Sequence, residues 1–121
     1  MTATRTRRAA AAPPTRLAFA GELDIQVAAE RKAALMAFVD GVDEPAAGAP
    51  VADLELDLHE VSELDTAGLQ LLLLGRREAA RRGLRLLLVE PSPAVTRALA
   101  LVNLELDAGG DLISSTDGSV R

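Results

Sequence analysis

The N-terminal part of the chain changes from alternating to helical spacing of its apolar residues. Residues 16–23 alternate around Gly21 and predict a strand that runs into a turn. Residues 27–39 carry apolar side chains at steps of three and four and predict a helix that ends at Gly41. The expected inward positions are Leu17, Phe19 and Leu23 in the strand and Ala28, Ala34, Leu35, Phe38 and Val39 in the helix, and the expected exposed positions are Glu30, Arg31 and Lys32.

A strict alternation of leucines and carboxylates in residues 53–58 predicts the second strand. The leucines fall on one face and the carboxylates on the other, so we expect one buried face and one wet or lightly covered face. Residues 41–50, before this strand, have almost nothing to bury and predict a connecting loop. The alternation stops after the strand, and we therefore place His59 and Ser62 in a loop.

The next two elements are a leucine-rich helix and a strand. Residues 66–82 predict the helix, with Asp65 as its N-cap and Gly83 at its end. Residues 84–89 are almost continuously apolar, which is typical of a buried parallel strand.

A third helix and a short strand complete the order. Pro91-Ser92-Pro93 opens the helix, because proline suits a first helical turn, and residues 104–106 predict the strand. Alternation of strands and helices implies right-handed crossovers between parallel strands. The predicted class is therefore α/β, with the helices packed on a small sheet.

The two ends of the chain differ in composition from the part between them. Residues 1–14 combine arginines with a short alanine run that is too weakly apolar for a secretory signal, and we predict a flexible basic arm. Residues 109–121 are polar and predict a flexible tail. The predicted domain is residues 15–108, and a chain of 121 residues fits one domain on the prior of roughly 100–200 residues per domain.

Composition excludes several functional classes. The chain has no cysteine, which removes disulfides and thiolate nucleophiles, and its one histidine, His59, cannot form a multi-histidine metal site. Its net charge of -5 has the wrong sign for a protein held to nucleic acid by its overall field. No segment reaches the roughly 18 consecutive apolar residues of a membrane-spanning helix.

Residues 61–69 join the alternating strand to the leucine-rich helix and hold the most informative side chains. A helix start favours a negative group, so a phosphate on Thr66 would be well tolerated there. The small residues Ala67 and Gly68 would leave room for the backbone of a partner or for a phosphate. The alternative is that Asp65 or Thr66 only caps the helix, and that the small residues let the helix pack on the sheet.

The four successive leucines 71–74 cannot all face inward, because successive helical residues turn by about 100°. Leu74 then falls on the exposed side, with Leu73 at its flank. The expected buried stripe is Gly68, Leu71, Leu72, Gly75 and Ala79, and the expected opposite side holds Gln70, Arg77 and Arg81. An apolar patch rimmed by arginines is typical of a protein-binding surface, although single exposed leucines are also common.

From about residue 17 to residue 104, the chain resembles the STAS domains of bacterial anti-sigma-factor antagonists. The segments that carry the resemblance are Gly21-Glu22-Leu23-Asp24, Leu56-Asp57-Leu58, Asp65-Thr66-Ala67-Gly68-Leu69 and Pro91-Ser92-Pro93-Ala94-Val95. The resemblance implies a STAS βα superhelix, with a small, mostly parallel sheet of four to five strands and helices packed mainly on one face. It also implies partner switching, in which the domain binds an anti-sigma factor or serine/threonine kinase until phosphorylation of the signature turn breaks the contact.

One position departs from the signature of that family. The usual phosphoacceptor is the hydroxyl residue just before the glycine, and here that position is Ala67. Thr66 is the one hydroxyl in the signature, so either Thr66 accepts the phosphate or the domain is not switched in this way. The segment Asp65-Thr66-Ala67-Gly68 also resembles the signature of two other groups of STAS proteins. One group binds the ATPase of bacterial phospholipid-transporting ABC systems, and the other is associated with chemotaxis. The expected partner-binding residues are Asp24, Asp65, Thr66, Ala67, Gly68, Leu69, Gln70, Leu73, Leu74 and Arg77, with Thr66 as the phosphorylation candidate.

The residues favour a binding module over an enzyme. His59 has only Ser62 nearby as a nucleophile, and no glycine-rich phosphate loop followed by Lys and Ser or Thr is present. The carboxylates of residues 53–57 are better explained as solvated acids than as a magnesium site. We therefore expect no catalytic residue, no cofactor, no metal and no nucleic-acid partner. We expect a cytoplasmic protein without direct membrane insertion that binds a protein partner, and its exposed leucines could equally form a homodimer.

Overall fold

The computed structural model describes residues 15–114, which form an α/β domain. The predicted arm, residues 1–14, and the end of the predicted tail, residues 115–121, lie outside the described residues. The elements are β1 (Arg16–Leu23), α1 (Ala28–Asp40), β2 (Ala52–Leu64), α2 (Thr66–Arg81), β3 (Leu84–Val89), α3 (Pro93–Leu101), β4 (Leu104–Leu106) and β5 (Leu112–Ser114). None of these helices is long and apolar enough to cross a membrane. The predicted class is confirmed.

The main sheet has the order β1-β2-β3, and both neighbouring pairs are parallel. Leu54, Leu56 and Leu58 of the central strand are fully buried, as their alternation predicts. Helices α1 and α2 cover this leucine face: a Cβ added to Gly75 of α2 would lie 2.4 Å from Leu35 Cδ2 of α1 and 3.2 Å from Leu86 Cδ2 of β3. The two helices and the sheet therefore meet closely at Gly75. Only Asp65 separates the end of β2 from the start of α2.

The opposite face of the sheet carries the carboxylates of β2, and arginines of its neighbours pair with them. Arg16 of β1 donates to Glu55 and to Asp57, and Arg85 of β3 donates two hydrogen bonds, of 2.9 and 3.2 Å, to Asp53. A backbone N–H two residues further on and the Arg16 guanidinium hold the pKa of the Asp57 carboxyl below its ordinary value. The sequence alone suggested that these carboxylates were only solvated, but they form ion pairs with arginines of the neighbouring strands.

Strand β2 continues beyond the predicted end, and the placement of His59 and Ser62 in a loop is wrong. The pairing of β2 with β1 shifts register twice in this part of the strand. Each shift sets two residues of β2 against one of β1. The inward positions therefore run at three-residue steps, from the buried Leu58 and Val61 to the half-buried Leu64. These bulges break the two-residue period, which is why the alternation in the sequence ends at Leu58.

Two side chains of α1 differ from their predicted environments. Ala34 is exposed, because the buried side of the helix is formed by Leu35 and Val39. The prediction failed since a small alanine gives little indication of whether it faces the core or the solvent. Arg31 was expected in water, but it is partly buried, with its guanidinium 5.7 Å from the centre of the Phe19 ring. A long arginine can cover apolar surface in this way while its charge remains near water.

The C-terminal part of the domain extends past residue 108, where the sequence predicted a tail. The predicted strand β4 is confirmed, and it pairs with β5 in an antiparallel sheet of two strands. Gly110 accepts a hydrogen bond of 2.8 Å from the N–H of Leu88, and Leu112 is buried in the core. Leu112, the backbone contact of Gly110 and an ion pair from Arg76 to Asp111 attach this polar segment, and none of them produces a periodic pattern. The five strands thus form a parallel sheet of three and an antiparallel sheet of two.

Candidate functional site

Asp65 links the start of α2 to the loop that follows β1. Its carboxylate accepts hydrogen bonds from the backbone N–H of Gly68 at 2.9 Å and of Ile25 at 3.1 Å. Its own N–H donates to the carbonyl of Leu23 at 3.2 Å. The predicted capping role of Asp65 is confirmed, and the same side chain also fixes the neighbouring loop.

Asp24 lies in that loop and shapes it. Its carboxylate accepts from the N–H of Gln26 at 3.0 Å, and its carbonyl accepts from the N–H of Val27 at 3.2 Å. These bonds form a turn between β1 and α1 and leave Asp24 half-buried beside Ile25.

The inner side of the corner is closed by the protein itself. A Cβ on Gly68 would lie 2.3 Å from the carbonyl oxygen of Leu23 and 2.7 Å from Leu64 Cδ1. Leu69 is also buried. The prediction that Gly68 and Leu69 contact a partner is not supported by their positions, because the glycine makes room for β1 and not for an outside molecule.

The outer side of the corner is open. Thr66 and Gln70 are exposed, and Ala67 is half-buried between them. Thr66 lies in the first turn of α2, where a helix has unpaired N–H groups and the positive end of its dipole. The corner therefore presents an accessible hydroxyl at a helix start that Asp65 caps.

A shallow apolar groove between α1 and α2 begins next to this hydroxyl. Its volume is about 290 Å³. The residues that line it are Ala28, Ala29, Lys32, Ala67, Gln70, Leu71 and Leu74. Small side chains on both helices open the groove, so a partner's apolar side chain could enter it.

The leucines predicted to be exposed are only partly so. Leu74 is half-buried in the groove between the helices. Leu73 is half-buried against the core and, with the exposed Arg77, lines a different cleft beside β3. The predicted patch is thus divided, since α1 and β3 pack on different sides of α2.

Sequence reasoning missed Ile25. Its side chain is 74% exposed and directly follows Asp24, with its N–H held by Asp65. An isoleucine within a polar turn was the available signal, because such a residue has no periodic partner and no evident place in the core. Ile25 therefore adds an exposed apolar side chain to the open side of the corner.

The described titratable groups near the corner form no cluster that could hold a metal ion. Within residues 15–114, no three His, Asp or Glu side chains are grouped so that they could hold a metal ion. His59 and Ser62 are exposed on the bulged part of β2. The accessible side of the corner thus consists of a hydroxyl, an apolar groove and one exposed isoleucine.

Comparison with known protein families agrees with this fold. The family model described as "Mlab, STAS domain" matches residues 6–113. No curated protein matches the chain. The match includes every helix and strand of the main sheet and extends into β5. The chain therefore belongs to the STAS domain family.

Proposed function

We propose that the chain is a regulatory protein-binding module of the anti-sigma-factor antagonist type, which holds its partner at the Asp65 corner and exchanges partners through phosphorylation of Thr66. STAS domains are in general non-enzymatic modules that bind proteins. The proposal assigns that general role to one surface of this chain, formed by the open side of the corner and the groove between α1 and α2.

The observation that carries the proposal is the position of Thr66. The threonine is exposed, it stands at the N-terminus of α2, and it adjoins the groove through Ala67. Ile25 lies across the Asp65 carboxylate from this helix start. Thr66 stands between Asp65, which holds Ile25, and Ala67, which lines the groove, so we expect a partner on both features to cover the threonine hydroxyl as well.

A phosphate on Thr66 would change that contact electrostatically. It adds a charge of about -1.5 to -2 beside the carboxylate of Asp65. The free helix N-terminus stabilises this charge in the unbound domain, whereas a partner shaped for a neutral threonine would bury it without compensation. Phosphorylation therefore favours the free domain over the complex.

A second candidate is a subunit that binds its partner without a switch, such as the STAS subunit that holds the ATPase of a phospholipid-transporting ABC system. The observation that favours it is Ala67, which is half-buried and lacks the hydroxyl usual at that position in the family. In this case the same surface binds constitutively, and Thr66 contributes its hydroxyl or methyl group to the contact. A chemotaxis component would be a third kind of partner for that surface.

The experiment begins with crosslinking of the tagged chain in its native cells and mass spectrometry of the captured proteins. Recovery of a histidine-kinase-like ATPase supports the phosphorylation switch, and recovery of an ATPase together with a permease supports the transporter subunit. Recovery of the chain alone supports a homodimer instead of either function. The affinity of the purified partner is then measured by calorimetry for the native chain, Thr66→Glu and Thr66→Ala.

The variants separate the two candidate functions. For the switch, Thr66→Glu should weaken binding at least about tenfold, since a buried unpaired charge costs several kcal/mol, and Thr66→Ala should leave it nearly unchanged. Loss of binding in Thr66→Ala would instead show that the hydroxyl makes the contact. Thr96→Glu is the matched control, because Thr96 is an exposed threonine on α3. A partner that binds Thr66→Glu as tightly as the native chain would refute the switch.

A further inference from the structure

The free edge of β3 differs between its two halves. At the C-terminal half, the N–H of Leu88 donates to the carbonyl of Gly110, so the loop before β5 covers the edge. Backbone groups of a strand point alternately to its two sides, and Leu86 and Leu84 therefore direct their N–H and C=O groups to the same side as Leu88. No other strand among residues 15–114 pairs with β3 on this side.

A cleft of about 650 Å³ lies beside this uncovered half of the edge. It runs between β3 and the side of α2 that faces away from α1, and it is separate from the groove of the proposed function. The apolar residues that line it include Val51, Leu73, Ala80, Leu84 and Leu86. An extended chain placed beside Leu84 and Leu86 would thus set alternate side chains against an apolar wall.

Three arginines surround the same cleft. Arg76 and Arg85 each have one carboxylate partner, Asp111 and Asp53, respectively. Arg77 is exposed and has no ion-pair partner among residues 15–114. The cleft therefore carries an excess of positive charge on a protein whose net charge is -5.

We propose that the Leu84–Leu86 edge of β3 is a second interaction surface, which binds an extended segment of a partner protein with alternating apolar and acidic residues. Backbone groups of Leu84 and Leu86 that pair with no described strand supply the hydrogen bonds of an added strand. When its apolar side chains lie against the wall, its acidic side chains lie on the face of Arg85, and the positive charge around the cleft favours them. A second copy of this chain fits less well, because antiparallel pairing of two such edges brings Arg85 close to its equivalent, and like charges across strands are destabilising.

The test uses the whole chain and three synthetic peptides with blocked ends. The probe is an octapeptide of alternating valine and glutamate. The first control replaces glutamate by lysine, and the second keeps valine and glutamate but carries N-methyl groups on alternate amides, which prevents strand pairing. Binding is followed by amide chemical shifts and by hydrogen exchange of the Leu84, Leu86 and Leu88 N–H groups.

We expect the Val-Glu peptide to shift the Leu84 and Leu86 amides and to slow exchange at Leu86, while Leu88 stays unchanged because its N–H is already bonded. The lysine and N-methyl peptides should bind at least about tenfold more weakly. Arg85→Gln should weaken the Val-Glu peptide several-fold, because the glutamates of the added strand lie on the face of the sheet that carries Arg85. Arg97→Gln, at an exposed arginine on α3, should not.

Three results would overturn the proposal. The first is that millimolar Val-Glu peptide shifts no amide signals, and the second is that the N-methyl peptide binds as tightly as the Val-Glu peptide. The third is that protection of the Leu86 amide rises with protein concentration in the absence of peptide, which would show that two copies of the chain pair. None of these outcomes depends on the function proposed for Thr66, so either proposal can fail alone.

Discussion

Gly68 and Thr66 stand two residues apart in the first turn of α2 and have opposite environments. A side chain at Gly68 would collide with the backbone of β1, whereas Thr66 is exposed. Asp65 serves both sides, because its carboxylate caps the helix and holds Ile25. One short motif thus combines a residue that packs the helix on the sheet with a residue that is accessible from outside.

The strongest test of this comparison is Gly68→Ala. The added Cβ meets a backbone oxygen 2.3 Å away, which can move only with β1, so we expect the free energy of unfolding to fall by about 2–3 kcal/mol. Urea denaturation followed by circular dichroism measures the change. Gly109→Ala is the control, because its Cβ would meet only Asp107 Oδ1 at 3.6 Å. A Gly68→Ala variant as stable as the native chain would show that the inner side is not closed.

Asp65→Ala tests the residue that joins the two sides. It removes the acceptor of the Gly68 and Ile25 N–H groups, and we expect a loss of about 1–2 kcal/mol in the same denaturation measurement. Asp24→Ala removes one local turn bond and should cost less. Equal losses in the two variants would contradict the linking role of Asp65.

Gly75→Ala extends the comparison along the buried side of α2. Its Cβ would meet the end of the Leu35 side chain at 2.4 Å instead of backbone. The leucine side chain can repack, and alanine has a higher helix propensity than glycine by about 1 kcal/mol. We therefore expect the free energy of unfolding to fall by only about 1 kcal/mol. Thermal unfolding of Gly68→Ala and Gly75→Ala compares their losses of stability. A larger loss in Gly75→Ala would contradict our explanation that the backbone contact at Gly68 yields less than the side-chain contact at Gly75.

Thr66→Ala should have the smallest effect on folding. The side chain is exposed, and the cap belongs to Asp65, so we expect a change in unfolding free energy below about 0.5 kcal/mol. The urea midpoint of this variant should coincide with that of the native chain. A loss above about 1 kcal/mol would mean that Thr66 also holds the fold together, and the two sides of the corner would no longer differ.

Much of the fold followed from periodicity. The bounds of β1 and the buried stripe of α2 agree with their predictions, because the apolar side chains there repeat with the period of the element. The bounds of β3 followed from a continuous apolar run, and the cap of α2 followed from the type of residue before the helix. The bulged end of β2 and the strand β5 did not follow, since bulges destroy the period and a three-residue strand is too short to show one.

Less of the candidate site could be predicted. The motif located the corner and Thr66, but it gave Gly68 and Leu69 the same role as their exposed neighbours. Leu73 and Leu74 were grouped on one surface, although they line separate clefts. Ile25 lies in a turn outside the periodic elements, so periodicity did not single it out, and only its apolar side chain between polar neighbours marked it.

The sequence by itself determined the alternation of strands and helices, the leucine core and the helix start at Asp65, because these depend on local spacing and on hydrogen bonds within a few residues. Tertiary structure alone decided which side of that helix start is open. Gly68 is closed by the carbonyl of Leu23, which lies 45 residues earlier in the chain (68 − 23), and Thr66 is open since nothing described packs over it. Contacts of this kind depend on how distant segments meet, which no local pattern records.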